Sequence, residues 1–291
     1  MSRLPLDAVN GLDGARFVST FGGIYEHSPW VAERAFAAQP FASVTDLAAA
    51  MARAVAEAGE AERLALLRAH PDLAGRAAIA GQLTAASTAE QARAGLDKLS
   101  PVEMERFKKA NAAYAKRFGF PFILAVRYWG KEHVLAAFDG RLGNDRDREV
   151  RTALAEVDKI AFMRLLELVR PAPTGRLTTH VLDTARGRPA AGVPVALYRF
   201  DAAGARAEVK RSRTNGDGRL DAPALAGEEM EAGRYELVFD AGEYFIASGM
   251  PVTAPAFLDR VPIAFAIANP EVHYHVPLLL SPWSYSTYRG S

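Results

Sequence analysis

The spacing of apolar residues changes near residue 172, and this change constrains the fold more than any other feature of the chain. Up to Val169 the chain is rich in Ala, Leu and Arg, and its apolar residues recur at helical spacing. From Arg176 onward it consists of short β-branched or aromatic runs between Gly, Pro, Asn and Asp. The pattern predicts an all-α domain over 1–170 and an all-β sandwich over 176–291, joined by a short stiff linker over 171–175.

Local patterns predict the individual elements of both domains. The predicted helices are Leu47 to Ala58, Ala61 to Ala69, Glu90 to Leu99, Val102 to Arg117 and Glu149 to Val169. A helix start is predicted at Ser100, the N-cap, which is followed by Pro101 and, three residues after the cap, by Glu103. Helix ends are predicted at Gly59 and Gly119. The predicted strands are Leu177 to Leu182, Val193 to Phe200, Tyr235 to Phe239, Arg260 to Ile267 and Tyr274 to Leu280.

Charge and composition exclude several classes of function. The formal net charge is +1, which gives no electrostatic case for nucleic acid or an anionic membrane as the partner. The chain has no cysteine, so disulfides, thiolate metal sites and a cysteine nucleophile are all excluded. It opens without an apolar signal region, and no segment approaches about 18 uninterrupted apolar residues. We therefore expect a cytoplasmic protein.

Six histidines carry most of the available chemistry near neutral pH: His27, His70, His133, His180, His273 and His275. His273 and His275 alternate with Tyr274, so on a strand their imidazoles share one face. His70 follows a predicted helix and precedes Pro71, which disfavours helical geometry and fixes the imidazole at a helix end. His133 keeps the interpretation of an ordinary surface or core histidine.

Glu90 and Arg164 each admit a structural and a functional interpretation. Ser87-Thr-Ala-Glu90 matches a capping box, which favours a cap over a carboxylate held towards a pocket. Arg164 interrupts an otherwise apolar stretch, as either a snorkelling or paired arginine or an anion clamp. The pattern alone leaves both questions open.

Four separated segments of the first domain carry a resemblance. They are FGGIYEHSPWVAERA (21–35), HPDLAG (70–75), LTAASTAEQARAGLD (83–97) and RFGFPFILA (117–125). Together they resemble the 2-oxo-4-hydroxy-4-carboxy-5-ureidoimidazoline (OHCU) decarboxylases of urate breakdown. The resemblance implies that His70 is the catalytic acid, that Glu90 is its acidic partner and that no cofactor is needed. It further implies a substrate pocket lined by Pro71, Ser87, Gln91, Phe120, Pro121, Phe122, Ile123, Leu124 and Arg164.

Three segments of the second domain carry another resemblance. His180 lies in an alternating run, a Gly-rich turn over 214–220 presents Arg219, and HYHVPLLLSP is followed by a terminal YRGS. These segments resemble the 5-hydroxyisourate hydrolases, the enzymatic relatives of transthyretin, which implies a transthyretin-like sandwich. The implied catalytic set is His180, Arg219 and His275, and the residues implied to complete the pocket are Tyr288, Arg289, Gly290 and Ser291. The stretch Asp201 to Lys210 looks longer than the usual turn of that family.

The hydrolase chemistry that this resemblance implies needs no metal. Two imidazoles can bind and deprotonate a water, while a guanidinium meets the charge on the attacked carbonyl oxygen. The alternative is a zinc ion bound by His180, His273 and His275, because three histidines and a water form a known catalytic pattern.

The two resemblances imply consecutive reactions on small molecules. The second domain would open the ring of 5-hydroxyisourate, and the first would decarboxylate the product, OHCU, to (S)-allantoin and CO2. The relation to transthyretin also implies a homo-oligomer, namely a tetramer with sites at subunit interfaces. The alternative is a transthyretin-like ligand-binding module fused to a single active decarboxylase domain. His180, Arg219 and the YRGS end discriminate between these, because they are the residues expected of the hydrolase.

Overall fold

The computed structural model describes residues 3–74 and 84–290 of the 291-residue chain. The chain divides into two compact units, Met1–Arg170 and Pro171–Ser291. The described part of the first unit is helical, and that of the second is built mainly from strands, which confirms the predicted order of an all-α and an all-β domain. Within the described ranges, no helix is both long and apolar enough to cross a membrane.

The helices described in the first unit are α1 (Leu6–Asn10), α2 (Gly14–Phe21), α3 (Trp30–Phe36), α4 (Val44–Ala56), α5 (Glu60–Ala69), α6 (Ala85–Arg93), α7 (Pro101–Phe118), α8 (Lys131–Leu142) and α9 (Arg146–Leu168). Ser100 caps α7 together with Glu103, and this helix ends at Gly119, as predicted. Gly59 was predicted to end a helix, but α4 already ends at Ala56 and Gly59 is the N-cap of α5.

Helix α6 begins earlier than its sequence pattern predicted. Its N-cap is Thr84, whose Oγ1 accepts the backbone N–H of Ser87 at 3.3 Å. The prediction of a capping box at Ser87 was therefore wrong, because a hydroxyl one turn upstream caps the helix instead. Ser87 and Glu90 both lie inside α6, where their side chains can contact other elements.

Helix α9 places a charged residue on its buried face. Many of its buried positions recur at helical spacing, among them Ala153, Val157, Ile160, Ala161, Arg164 and Leu165. Arg164 thus occupies a core position, although its side chain carries a charge. A buried guanidinium requires partners for its charge and for its N–H groups.

An extended segment, 121–126, connects α7 towards α8. Side chains of the last two helices hold its main chain: Arg141 Nη1 donates to the Ile123 carbonyl at 2.6 Å, and Ala125 N–H donates to Glu156 Oε2 at 2.9 Å. Extended backbone outside a β-sheet has no neighbouring strand to pair with its N–H and C=O groups, and these two side chains provide partners instead. The segment is thereby fixed as an apolar wall.

The second unit contains β1 (Arg176–Thr178), β2 (Val181–Asp183), β3 (Arg188–Pro189), β4 (Pro194–Phe200), β5 (Arg206–Arg213), β6 (Leu225–Ala226), β7 (Gly233–Asp240), α10 (Ala241–Ala247), β8 (Arg260–Ile267), β9 (His273–His275), β10 (Leu278–Leu280) and β11 (Tyr285–Thr287). They form sheets in the orders β6-β1-β9, β11-β10-β2-β3 and β5-β4-β7-β8. Strands β1 and β9 pair in parallel, as do β2 and β10, so the two segments that carry histidines lie side by side.

Two predicted strands are each interrupted once. The first breaks between β1 and β2, around His180, and the second breaks between β9 and β10, where Pro277 has no N–H to give to a ladder. Main-chain bonds continue across both breaks, because Val276 N–H donates to Thr178 O at 2.9 Å and Leu278 N–H donates to His180 O at 2.8 Å. The two segments therefore stay in register through the interruptions.

The stretch Asp201 to Lys210 was predicted as a long turn, and its second half belongs to a strand. Only 201–205 turn, and β5 (Arg206–Arg213) then pairs antiparallel with β4 at the edge of its sheet. Its side chains are largely exposed and charged. Charged residues are common on edge strands, where they discourage pairing with other chains, and they conceal the strand pattern in the sequence.

Candidate active sites

A narrow cleft opens in the first unit. The predicted residues that line it are His70, Pro71, Ser87, Glu90, Gln91, Phe122, Ile123, Leu124 and Arg164. Residues that line it but were not predicted are Leu73, Val126, Arg127, Ile160 and Met163. Among the described residues Phe120 and Pro121 are not part of this lining, and the Phe120 ring is buried near Tyr114.

His70 ends α5 and lies buried at the cleft with 7% of its surface exposed. Its Nδ1–H donates to the Leu66 carbonyl at 3.0 Å, and because a carbonyl can only accept, Nδ1 must carry the proton. Burial lowers the pKa of His70 below its ordinary value of 6.5, although the Leu66 carbonyl partly opposes this. The imidazole is therefore neutral at neutral pH, and its buried Nε2, which has no partner in the described residues, is a proton acceptor.

Arg164 uses all five of its N–H donors within the protein. Nε and Nη2 donate to the two carboxylate oxygens of Glu90, both at 3.0 Å. Nη1 donates to Glu26 Oε2 at 2.9 Å and to the Ile24 carbonyl at 3.1 Å, and Nη2 also donates to Ser87 Oγ at 3.2 Å. The guanidinium is therefore a paired arginine that orients Glu90, and it has no donor left over for an anion.

Glu26 is a buried carboxylate that the sequence did not single out. It accepts from Thr84 Oγ1 at 2.8 Å and from Ser87 Oγ at 3.2 Å, in addition to Arg164. Burial alone would raise the pKa of Glu26, but the charge of Arg164 and the hydroxyl of Thr84 outweigh it, so the pKa is lowered. Two carboxylates thus flank one guanidinium behind the cleft, and Glu26 stays ionised.

Gln91 holds the loop that follows His70. Its Oε1 accepts the N–H of Ala74 at 2.9 Å, and its Nε2 donates to the Asp72 carbonyl at 3.4 Å. Ala74 has a φ of 51°, in the left-handed region that is unfavourable for a residue other than glycine. The amide of Gln91 therefore stabilises a strained turn beside the cleft.

In the second unit, backbone pairing brings the predicted catalytic set together. His180 forms an isolated antiparallel bridge with Arg219, and His275 forms one with Gly290. Burial and then the charge of Arg219 lower the pKa of both His180 and His275, while a bond to the Asp217 carbonyl partly opposes this at His180. Both imidazoles are consequently neutral at neutral pH and able to accept protons.

A threonine that the sequence did not single out links the two tail histidines. Thr178 Oγ1 lies 2.7 Å from His273 Nε2 and 2.9 Å from His275 Nδ1. Tyr274 between them is buried, so both imidazoles lie on the opposite face of β9, as predicted. A hydroxyl has one proton, so it donates to one ring and accepts from the other.

Two glycines lie against the imidazoles of His180 and His275. A Cβ at Gly218, where φ is 71°, would lie 2.4 Å from the Val181 carbonyl oxygen and 3.2 Å from His180 Cδ2. A Cβ at Gly290 would lie 2.6 Å from His275 Cδ2. A side chain at Gly290 would displace the His275 ring, and one at Gly218 would collide with the backbone that follows His180.

The predicted pocket residues of the tail differ in their surroundings. Gly290 pairs with His275, and the Arg289 guanidinium carbon lies 4.7 Å from the centre of the Tyr274 ring. Tyr288 is 60% exposed, and Ser291 lies outside the described residues.

The zinc alternative has no supporting geometry in the described ranges, 3–74 and 84–290. No group of three or more His, Cys, Asp or Glu residues there has an arrangement that could hold a metal ion. The Thr178 hydroxyl instead bonds to one ring nitrogen each of His273 and His275.

Comparisons with known proteins match each unit separately and the chain as a whole. Residues 10–166 match the OHCU decarboxylase family, and residues 177–290 match the HIUase/Transthyretin family. The OHCU decarboxylase of Haloferax volcanii is 50% identical over 167 residues, covering 57% of this chain and 97% of the relative. The 5-hydroxyisourate hydrolase of Mesorhizobium japonicum is 62% identical over 120 residues, covering 41% of this chain and 95% of the relative.

The crystal structure of (S)-allantoin synthase superposes on the chain with a TM-score of 0.83 and 41% sequence identity, covering 99% of this chain and 100% of that one. Both halves of the chain therefore have relatives that it covers almost completely, and one solved protein resembles it from end to end. The chain belongs to the OHCU decarboxylase family through its first unit and to the HIUase/transthyretin family through its second.

Proposed function

We propose that this chain converts 5-hydroxyisourate to (S)-allantoin and CO2 in two steps, hydrolysis in the second unit and decarboxylation in the first. The observation that carries the proposal is the similarity to (S)-allantoin synthase over 99% of the chain. The residues of both candidate sites support it, because the first unit has one neutral imidazole, His70, at a cleft that Arg164 also lines, and the second has two, His180 and His275, near Arg219.

In the hydrolysis, His180 and His275 bind a water and accept its proton, because both are neutral with lowered pKa values. The water oxygen bonds to a ring carbonyl carbon, and Arg219 stabilises the negative charge on the carbonyl oxygen. The C–N bond then breaks, and the nitrogen takes the proton back from an imidazole. The products of this cleavage are the carboxylate and the ureido group of OHCU.

In the decarboxylation, the bond between the ring carbon and the carboxylate breaks and CO2 leaves. The electron pair moves through the adjacent C=N bond onto the ring nitrogen, which takes a proton from solvent. His70 Nε2 accepts the proton of the 4-hydroxyl, which becomes a carbonyl, and returns it to the carbon that carries the ureido group. In this scheme His70 is first a base and then the acid, and delivery from one side gives one enantiomer.

We further propose a homo-oligomer, a tetramer through the second unit, as the resemblance of this unit to transthyretin implies. Light scattering of the purified chain measures this directly, and a monomeric mass would refute it. The cytoplasmic location stays a prediction, as does a mechanism without metal or cofactor.

The test of the proposed function supplies freshly made 5-hydroxyisourate and follows ultraviolet absorbance and circular dichroism together. We expect rapid loss of the substrate band followed by optically active allantoin. Racemic product at the spontaneous rate would refute both activities. Normal decarboxylation without faster hydrolysis would instead favour a transthyretin-like binding module fused to one active domain.

A further inference from the structure

Two buried polar atoms at the decarboxylase cleft have no hydrogen-bond partner in the described part of the chain. One is His70 Nε2, and the other is the Nε of Arg127. The Arg127 side chain is 12% exposed, and its Nη2 donates to Glu167 Oε1 at 2.7 Å. Buried donors are rarely left unpaired, so an unpaired N–H at a cleft indicates that a ligand supplies the acceptor.

The other arginine of the cleft cannot take this role. The five N–H groups of Arg164 are already bonded to Glu90, Glu26, Ser87 and the Ile24 carbonyl. Arg127 is therefore the cationic side chain of the cleft lining that retains a buried donor. The cleft thus offers an acceptor at His70 Nε2, which suits a hydroxyl proton of a ligand. It also offers a donor at Arg127 Nε, which suits an oxygen acceptor of the same ligand.

The chemistry of the reaction indicates which oxygen this is. The wall formed by Phe122, Ile123 and Leu124 is apolar and favours neutral CO2 over a carboxylate. A guanidinium bound to the carboxylate would stabilise the substrate and slow the loss of CO2. The 2-oxo oxygen is conjugated with the nitrogen that receives the electron pair, so a guanidinium bound to this oxygen would stabilise the transition state instead.

We propose that the Nε–H of Arg127 binds the 2-oxo oxygen of OHCU as that oxygen gains negative charge. The inference rests on the proposed decarboxylase function and adds a catalytic residue to it. Arg127 lies two residues beyond the segment whose resemblance suggested the pocket, which ends at Ala125.

The experiment measures kcat and KM for decarboxylation of freshly generated OHCU by the full chain and its variants. Arg127→Met keeps the bulk of the side chain and removes its donors, and we expect kcat to fall about 100-fold with KM changed less than threefold. Arg127→Lys keeps the charge without the Nε–H and should recover only part of the loss.

Two matched variants control for structure. Arg63 also has a buried, unpaired Nε but does not line the cleft, so Arg63→Met should retain the wild-type kcat. Glu167→Gln removes the charge that pairs with Arg127 but keeps an oxygen acceptor for its Nη2 and leaves the Nε–H in place, so kcat should stay within about threefold. The helical signal in far-ultraviolet circular dichroism and the thermal unfolding of the first unit verify that each variant is folded, because all the changed residues lie in that unit.

The outcomes separate this inference from the function on which it rests. A wild-type chain that does not decarboxylate OHCU refutes both. Normal decarboxylation by Arg127→Met refutes the role of Arg127 alone. A higher KM with unchanged kcat also overturns it, because it would place the guanidinium on a group whose charge does not change during the reaction.

Discussion

The two units each hold a histidine through Nδ1, and the partners differ in kind. In the first unit the Leu66 carbonyl can only accept, so His70 keeps its proton on Nδ1 and presents Nε2 as an acceptor. In the second unit the Thr178 hydroxyl can donate to or accept from His275 Nδ1, and its other side faces His273. A backbone carbonyl fixes one tautomer, whereas a hydroxyl leaves both accessible.

The lowered pKa values of these two histidines also have different origins. Burial is the main cause for both. At His275 the charge of Arg219 contributes next and lowers the pKa further, with the Thr178 carbonyl opposing it, whereas at His70 the next contributions, from the Leu66 carbonyl and Glu26, oppose the shift. The neighbouring charge of Arg219 therefore reinforces desolvation at the second site, whereas at the first site the charges of Glu26 and Arg164 act in opposite directions.

The largest effects should come from removing each imidazole. We expect His70→Ala to slow decarboxylation by about 100- to 10,000-fold with hydrolysis unchanged, and His275→Ala to do the reverse, as is typical for loss of a general acid or base. Time courses of absorbance and circular dichroism resolve the two phases. One substitution that abolished both phases would show that the sites are not independent.

The next largest effect concerns the space around the His275 ring. Gly290→Ala would place a Cβ 2.6 Å from His275 Cδ2, and a ring displaced by about 1 Å should slow hydrolysis about 100-fold. Gly233→Ala is the matched control, because its Cβ would approach no atom closer than 3.5 Å. Equal rates for the two variants would mean that the tail does not position His275.

A smaller effect should follow from changing the hydroxyl between the histidines. Thr178→Val removes it, and we expect kcat/KM for hydrolysis to fall about tenfold, the cost of roughly one hydrogen bond. Thr178→Ser should restore most of the rate, because it returns the hydroxyl to nearly the same place. If valine and serine behave alike, the hydroxyl has no part in orienting His275.

The smallest effect concerns the response of the pH profiles to salt. Because neutral His70, His180 and His275 are required, both activities should fall only as the pH drops through pKa values below 6.5. Salt screens Arg219, which lets His275 protonate more easily, so the acidic limb of hydrolysis should shift a few tenths of a pH unit upward. The limb for decarboxylation should move less, because Glu26 raises the pKa of His70 while Arg164 lowers it, and equal shifts would refute the assigned causes.

Local patterns in the sequence predict the elements better than they predict the sites. The shared face of His273 and His275 follows from strand geometry alone, and α7 follows from Ser100, Glu103 and Gly119. The edge strand β5 escaped prediction because its exposed, charged residues resemble a loop.

The residues that sequence patterns missed are those whose role depends on distant partners. Glu26 contacts Arg164 from 138 positions away, and Glu90 does so from 74 positions away, so neither contact leaves a local signature. Thr178 could have been found, since alternation places it on the same strand face as His180. To identify Arg127 from the sequence, one would need to know that Arg164 is fully paired, and this is a property of the folded unit.

The glycines beside the imidazoles of His180 and His275 should tolerate little sequence variation. Gly218 and Gly290 cannot transfer a proton, yet an added methyl group at either would collide with the backbone or ring of a histidine segment. A library that randomises the second unit should therefore lose hydrolysis at these two positions nearly as sharply as at His180 and His275. A survey of tolerated substitutions would mark both glycines as active-site positions, whereas a search restricted to polar residues would overlook them.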